Sequence, residues 1–557
     1  MFTLRLLNNQ VEEFLIDEEK DILTSVRALG LDPICDCGQG NCGKCKARMV
    51  NGNITDITDT ENELLAINEK FSGWFLMCQR KPLEDLIIDM PQRDGIYFDL
   101  EKSKWEGEIN PFVKKEVVDF NNFELGEFVD YQSALLDYFA DKGVKSITTR
   151  AMEQLVPALA LGEKVITVIY ADRILSIETG DTTDKQYGVA VDMGTATVGM
   201  KLIDIANGEI VGKVYGGNSQ RPYGNDVAKR VDYVKNNNGD CSELHDVLLY
   251  TINKQLLALC ERVGIDAECI YDMVLVGNTQ LSHLFFGISP QAVDEIPMFL
   301  QMNEITAGKV GIKINEMANI SVLSCINGEF GGDANAIGDL VNDEESLVID
   351  LGIDTTLILN HNGTQRFKRV STPVFDGMCI HQGRIHGEGA INGYFWKEEM
   401  QNAFAESEGY MTPNGISGTG LWSLILDLKE LGYVDADNKF NTEDLPQNVK
   451  MKFADGPLGK VMTLAGGGFM KVELLEKDIQ LLYDDVAKLK AEVADLVGRY
   501  KLNKVIITGM VGADVDVKVA EGIGLLPESI CWDKVEFIPE MALNAATERL
   551  LNWKSEE

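Results

Sequence analysis

The sequence predicts a multidomain chain that combines α+β and α/β units. It reads as a small β-grasp domain, a linker, a small middle domain and a large domain built from two related halves. Three observations predict this. The first 93 residues run strand, strand, helix, loop, strand. The stretch CDCGQGNCGKC places Cys35, Cys37, Cys42 and Cys45 close together in a chain that otherwise uses cysteine sparingly. An apolar strand followed by Asp-x-Gly and hydroxyl residues occurs twice, at Asp192 and at Asp350. At 557 residues the chain is also too long for one hydrophobic core.

In residues 1–93, FTLRLLNN and VEEFLIDEE form a hairpin and KDILTSVRALG a short helix. After the cysteine loop, KARMVNG is strand-like and TENELLAINEK helical. LMCQRKPLEDLIIDMP reads as an edge strand ending on Pro91. Residues 94–125 are charged, contain Trp105 and Pro111 and have weak periodicity, so they read as a linker. Residues 126–186 hold a helix, DYQSALLDYFADKG, and a hairpin, TVIYADRILSIETGD, which together make the middle domain.

Residues 187–557 form the large domain. YGVAVDMGTATVGMKLIDIANGEIVGKV and SLVIDLGIDTTLILNHNGTQRFKRV share one plan: apolar strand, Asp-x-Gly turn, threonines, second strand and Asn-Gly turn. A supersecondary unit used twice predicts two related halves facing one cleft. Near the C-terminus, Leu482, Val486, Leu489, Val493 and Leu496 recur at helical spacing, a core-packing stripe.

Composition excludes several functions. With 45% hydrophobic and 25% charged residues the chain is globular. A net charge of −37, spread along the chain, repels nucleic-acid phosphates and anionic lipid, so neither is an expected partner. No apolar run reaches the ~18 residues of a membrane span. The start, MFTLRLLNNQVEEF, alternates like a strand and lacks the regions of a signal peptide. Eleven cysteines, an odd number, argue against a disulfide scaffold and for a reducing cytoplasm.

Cys37-x4-Cys42-x2-Cys45, followed by the distant Cys78, has the plant-type spacing for a 2Fe–2S cluster. Four thiolates must converge on two irons, and the bridging sulfides need backbone N–H donors nearby. Gly38, Gly40 and Gly43 let the loop curl enough to supply them. A zinc site usually offers two short cysteine pairs, and only one is present. Cys35 is the spare by spacing, and it replaces Cys37 if the loop takes the longer route.

Glycine in a strand-to-strand turn lets backbone N–H groups approach phosphate oxygens, and threonine hydroxyls add donors. An aspartate at the strand end holds Mg²⁺ through water or orients water for attack. One such turn also closes many ordinary hairpins, whereas two flanked by strands and hydroxyls predict a nucleotide cleft. VIITGMVGAD, with Gly509 and Gly512, supplies a third glycine loop after an apolar strand. CIHQGRIH, with Cys379, His381 and His386, is a further candidate constellation, which the family resemblance given below assigns to a glycine-rich loop rather than a metal site.

At this point CGQGNCGKC, LMCQRKPL, GVAVDMGTATVG, YGNDVAKRV, VLVGNTQLSHLFFGISP, FGGDANAIGDL, VFDGMCIHQG and GIGLLPE resemble one family, the ATP-dependent reductive activators of corrinoid proteins. The resemblance covers nearly the whole chain. It implies an N-terminal 2Fe–2S ferredoxin domain and a C-terminal actin-like (ribonuclease H-like) ATPase domain. It further implies that Asp192, Gly194, Thr195 and Thr197 form the first phosphate loop and that Asp350, Gly352 and Asp354 form the second. Asp226, Asn278, Thr279 and Asp333 would line the cleft, with Gly509 and Gly512 near the adenosine. Asp192, Asp350 and Asp226 are the expected catalytic carboxylates.

The implied cofactors are the cluster, on Cys37, Cys42, Cys45 and Cys78, and ATP with Mg²⁺. The implied partners are a corrinoid protein of a methyltransferase system, a low-potential electron donor and a second copy in a homodimer. The chain departs from the family at three places, and the first is its first cysteine, displaced relative to the family's usual five-residue gap, so that Cys35 stays a candidate ligand. Its second loop reads DLGIDTT, with Ile353 and Asp354 where the family has Thr and Asn, and Thr355-Thr356 where it has Gly-Glu. A later loop reads STPVFDG, with Ser371-Thr372 replacing Ala-Gly. The alternative function is a nucleotide-binding protein that docks a partner and relays electrons without hydrolysis. A small-molecule kinase would need an acceptor site and base that the motifs do not supply beyond the cleft aspartates.

Overall fold

The computed structural model describes residues 1–6, 9–29, 33, 40, 43, 45–65, 67–90, 96–123, 130–291, 302–341, 345–377, 379–384, 389–400, 402–407, 413–443, 445–456, 458–466, 471–509 and 515–553. Cys35, Cys37, Gly38, Cys42, His386 and Gly512 lie outside these residues.

The N-terminal unit begins with a hairpin of β1 (Phe2–Leu6) and β2 (Asn9–Ile16). Helix α1 (Ile22–Ala28) starts where the Asp21 carboxylate accepts from the Thr24 amide at 2.8 Å, a side-chain N-cap. Strand β3 (Lys46–Asn51), helices α2 (Asp59–Leu64) and α3 (Ile67–Phe71), and strands β4 (Trp74–Leu76) and β5 (Leu86–Asp89) complete the unit. Its sheet has the order β2-β1-β5-β3-β4, a β-grasp around Leu4, Leu23, Val26, Phe75 and Ile88.

The expected edge strand is in fact central: β5 pairs parallel with β1 and antiparallel with β3. The strand's last residue is Asp89, and Pro91, where it was expected to end, lies outside the described residues.

The expected linker is also built into sheets. β6 (Tyr97–Asp99) and β7 (Ser103–Lys104) pair antiparallel with the strand Glu209–Gly217 of the large domain and cover its open edge. β8 (Lys114–Asp119) belongs to the middle domain. That domain therefore starts before residue 126. With α4 (Tyr131–Tyr138), α5 (Thr149–Ala160), β9 (Val165–Tyr170) and β10 (Ile174–Thr179) it forms a sheet β10-β9-β8. Leu135, Phe139 and Leu155 of the helical segment share a core with Val118, Ile166 and Val168 of this sheet.

The large domain divides as expected. Its first half contains β11 (Tyr187–Met193), β12 (Thr197–Asp204), β13 (Glu209–Gly217), α6 (Val227–Asn236), α7 (Ser242–Val263), β14 (Ile270–Gly277), α8 (Thr279–Phe285), β15 (Met302–Thr306), α9 (Ala307–Val310), β16 (Asn319–Val322) and α10 (Gly332–Leu340). The second half opens with β17 (Ser346–Asp350), β18 (Asp354–His361) and β19 (Thr364–Ser371). Two small sheets follow, β20 (Ala390–Lys397), β21 (Asn402–Ser407) and β22 (Gly415–Ile416), then, after α11 (Gly418–Glu430) and α12 (Gln447–Lys450), β23 (Phe453–Gly456), β24 (Gly459–Ala465) and β25 (Val472–Leu475). The chain ends with α13 (Glu476–Val497), β26 (Lys504–Thr508), α14 (Val517–Gly522), β27 (Val535–Phe537) and α15 (Met541–Leu551).

The two halves share one framework. The first sheet runs β13-β12-β11-β14-β16, the second β19-β18-β17-β26-β27. In each, the first three strands are antiparallel neighbours and the last two join parallel. Between the halves, Ala190, Val274, Val348, Ile358 and Ile506 pack with Leu543, Ala546 and Leu550 of α15. The stripe on α13 is core as expected: Leu482, Val486, Leu489 and Val493 are buried and Leu496 packs beside them. No helix among the described residues is long and apolar enough to cross a membrane.

Candidate nucleotide cleft and cluster site

Parallel pairing decides where the candidate residues meet. β11 and β14 run side by side, so Asp192 lies opposite Val276, one residue before Gly277 and Asn278. β17 and β26 repeat this, with Asp350 opposite Thr508 and then Gly509. The two Asp-x-Gly turns and the loops after the parallel strands therefore emerge at the same end of each sheet, where open α/β sheets bind ligands.

The first loop is held from several sides. The Asn218 side-chain amide donates to the Gly194 carbonyl at 3.0 Å, and the Asn218 backbone N–H to the Ala196 carbonyl at 2.7 Å. The Arg230 guanidinium donates to the Thr195 carbonyl. Asn278 Nδ2 donates to Thr195 Oγ1 at 3.1 Å, while Asn278 Oδ1 caps α8 by accepting from the Leu281 amide at 2.9 Å. Thr197 opens β12 beside this loop. The Thr279 hydroxyl is turned away, donating to the Asn327 carbonyl at 2.7 Å. His283 is fully buried with Nδ1 2.6 Å from the Thr279 carbonyl, and burial pushes its pKa down, consistent with a structural residue.

Asp333 reaches the cleft because Gly331 and Gly332 let its loop press against the start of α8. A Cβ on Gly331 would lie 2.3 Å from the Gly277 carbonyl oxygen. Gly509 does the same for the second half: its φ is +103°, and a Cβ there would fall 2.9 Å from Asp350 Oδ1.

Asp192, Asp333 and Asp350 are then three half-buried carboxylates, and the charge of Asp333 acts on both of the others. Burial pushes Asp192 well above the carboxylate range, with Asp350, Asp333 and Glu540 adding to it. Burial, then Asp333, pushes Asp350 up to about 7. Burial also raises Asp333, opposed by a hydrogen bond from the Ala334 amide. Carboxylates gathered in this way are suited to a divalent cation. Among the described residues no three His, Cys, Asp or Glu side chains converge closely enough to ligate a metal ion directly. The stretch of Cys379 and His381 forms no such cluster there either.

The second loop has different partners. Ile353 packs against Ala196, joining the two loops across the cleft. Thr372 Oγ1 donates to the Gly352 carbonyl at 2.8 Å and lies 2.7 Å from Thr355 Oγ1. Asp354 faces the N-terminus of α6. Burial raises its pKa, Arg369 opposes this, Asp226 adds to it, and Arg230 and the Val227 amide work against it. Asp226 caps α6, accepting from the Lys229 amide at 2.8 Å and pairing with Lys229 Nζ at 2.7 Å. The residues that depart from the family pattern thus engage protein.

Two contributors had no flag in the sequence. Arg230 is 1% exposed and lies within YGNDVAKRV, where nothing local sets it apart from a surface arginine. Glu540 precedes α15 with φ +57°, receives the Tyr215 hydroxyl and pairs with Lys201 Nζ at 3.1 Å. A glutamate in IPEMALN carries no local signal, and only the chain's return places its charge near Asp192.

In the β-grasp, Cys45 and Cys78 bring their sulfurs to 3.1 Å, close enough to serve one iron. Cys78 is lowered to about 7, chiefly by its hydrogen bond with Cys45 and against burial, with the Gly40 backbone N–H contributing. Glu61, fully buried, accepts from the Leu76 amide at 2.8 Å and from Arg80 Nε at 2.6 Å, so it holds the chain on both sides of Cys78. These residues fit the 2Fe–2S group.

A ferredoxin-type β-grasp joined to duplicated five-stranded halves defines a cluster domain fused to an actin-like domain. The comparisons with known proteins agree. The 2Fe-2S iron-sulfur cluster binding domain matches residues 6–83, the RACo middle region residues 187–341, and the C-terminal domain of RACo, the ASKHA domain, residues 344–557. The chain belongs to the RACo family. It is 22% identical to the corrinoid activation enzyme RamQ of Eubacterium limosum, across 96% of this chain and 90% of the relative. It is 24% identical to the [Co(II) methylated amine-specific corrinoid protein] reductase of Methanosarcina barkeri, across 61% of this chain and 66% of that protein. The solved structure of a reductive activator for corrinoid, iron-sulfur protein superposes with a TM-score of 0.71 at 26% identity, covering 99% of this chain and 93% of that one.

Proposed function

We propose that this protein is an ATP-dependent reductive activator of a corrinoid protein in a methyltransferase system, returning Co(II) to Co(I) with an electron passed through its 2Fe–2S cluster. The observation that carries this reading is the union, in one chain, of the Cys45–Cys78 pair on a β-grasp with the half-buried Asp192–Asp333–Asp350 set between two actin-like halves. When bound, the cluster supplies a low-potential electron, near about −400 mV for plant-type centres, and ATP supplies free energy. For one electron, ~59 mV changes the equilibrium tenfold, so the activator must shift the balance as well as deliver the electron.

The chain's own residues have distinct tasks in this reading. Cys37, Cys42, Cys45 and Cys78 hold the cluster. Asp192, Asp350 and Asp333 would hold Mg²⁺, which would neutralise phosphate charge, and Asp226 stands beside the second loop. Gly194, Thr195 and Thr197 would offer donors to phosphate from the first half, with Gly352 and Asp354 facing them from the second, and Gly509 and Gly512 are assigned to the adenosine from the family pattern. Asn278 positions Thr195, and the Thr279 hydroxyl anchors the neighbouring loop. Coupling requires the two arrangements of the halves to differ in affinity for the partner. The protein is proposed to act in the cytoplasm, as a homodimer served by a low-potential donor.

The Ile353–Ala196 contact favours a second reading, in which the chain binds nucleotide and relays electrons without hydrolysis. Anaerobic visible spectroscopy of a Co(II) corrinoid protein, with this protein and a reductant, separates the two. Growth of the Co(I) band only with ATP is the expected result. Equal growth without ATP supports the relay, and no growth with any corrinoid protein defeats both.

A further inference from the structure

Helix α6 stands between the nucleotide cleft and the β-grasp domain. At its cleft end both phosphate loops engage it: Arg230 donates to the Thr195 carbonyl of the first, and Asp354 of the second faces Asp226 and the Val227 amide. Three residues beyond Arg230, hence on the same side of the helix, Tyr233 meets Tyr223 edge-on at 5.1 Å. Both phenols donate to Glu243 in the first turn of α7, Tyr223 at 2.9 Å. Over the Tyr223 ring lies the guanidinium of Arg27, its carbon 5.9 Å from the centroid. Arg27 is in the last turn of α1, in the other domain, and its charge acts on both phenols, opposing the effect of their burial.

We propose that Tyr223, Tyr233 and Glu243 form the docking surface of the β-grasp domain, gripped by Arg27, and that α6 makes this docking respond to the nucleotide cleft. An arginine over an aromatic pair backed by a carboxylate is short-ranged and salt-sensitive, suited to a contact that is made and released. Arg230 ties α6 to the first loop through the Thr195 carbonyl and to the segment before the helix through Gln220 and Gly224, so a shift of that loop is passed to α6. Ile353 and Ala196 join the two loops that engage α6, so a nucleotide-driven movement of either loop is transmitted to the helix. The coupling part of this inference rests on the nucleotide reading above; the docking part does not.

The test is anaerobic small-angle X-ray scattering on the full, cluster-loaded chain, wild type against Arg27→Glu, with binding of a non-hydrolysable ATP analogue measured on both. The visible spectrum of the cluster checks that the β-grasp stays folded. Arg27→Glu is expected to enlarge the radius of gyration and to tighten analogue binding about 5-fold, the lower range of allosteric coupling. Arg27→Lys, which keeps charge but loses the planar stack, falls between. Unchanged scattering overturns the docking. Enlarged scattering with unchanged analogue affinity overturns the coupling. If the wild type binds no analogue, the nucleotide reading and the coupling fall together, while the scattering still decides the docking.

Discussion

The two halves of the large domain carry the same five strands in the same order and sense, yet their Asp-x-Gly loops are tied down differently. In the first half, DMGTAT is gripped from outside: Asn218, Arg230 and Asn278 hold Gly194, Thr195 and Ala196. In the second half, DLGIDTT is tied by hydroxyls of its own neighbourhood, Thr355 and Thr372, and spends Ile353 and Asp354 on contacts with the first half. The difference teaches that the framework and the chemistry of its loops are specified separately. Strand pairing sets where Asp192 and Asp350 stand, and the residues after them decide whether the loop faces phosphate or protein.

Replacing the matched aspartates is the strongest way to break the comparison. Asp192→Asn and Asp350→Asn should each lower partner-stimulated ATP turnover about 100-fold or more, as for loss of a preorganised electrostatic group. If only one of them matters, the halves are not equivalent in chemistry. The same variants have a stability signature. Asp350 titrates near 7 in the fold against an ordinary carboxylate value below 4, so the folded state binds the extra proton between these values. Its burial costs nothing below the lower value and grows as pH rises to about 7. Asp350→Asn should therefore melt higher than wild type at pH 8, with the gain fading toward pH 4. A gain that does not depend on pH would defeat the assignment.

A smaller effect is expected from Ile353→Thr, which restores the family's hydroxyl and removes the Ala196 contact. Each buried methylene is worth about 0.8 kcal/mol, so nucleotide affinity should tighten about 5-fold in calorimetric titration. Weaker binding would mean that the contact builds the site rather than closing it. The smallest effects compare the ties themselves. Asn218→Ala removes several buried hydrogen bonds and should cost about 2 kcal/mol in denaturant unfolding, and Thr372→Val about 1 kcal/mol. Equal costs would argue that the second loop is held as firmly from outside as the first.

Much of this architecture was legible in local sequence. Alternation and Asn-Gly turns marked the strand pairs, the cysteine spacing marked the cluster loop, and the repeated Asp-x-Gly marked two related halves. These are short-range signals, set by side-chain period and turn stereochemistry. What escaped was set by pairing partners. LEDLIID alternates like any half-buried strand, and nothing local says that β5 lies between β1 and β3. The charged stretch before residue 125 lacked periodicity because its strands are only two to six residues long, and they became strands by covering existing edges.

The sequence by itself determined the β-grasp pattern, the two related halves and the placing of Asp192 and Asp350 at strand ends, because each follows from residues close in the chain. Only the tertiary structure decided that Glu540 adds its charge to Asp192, that Arg230 holds the first loop, that Ile353 meets Ala196, and that Arg27 reaches Tyr223. Those pairings join residues far apart in the chain, and their energies exist only once burial and long-range packing have brought them together.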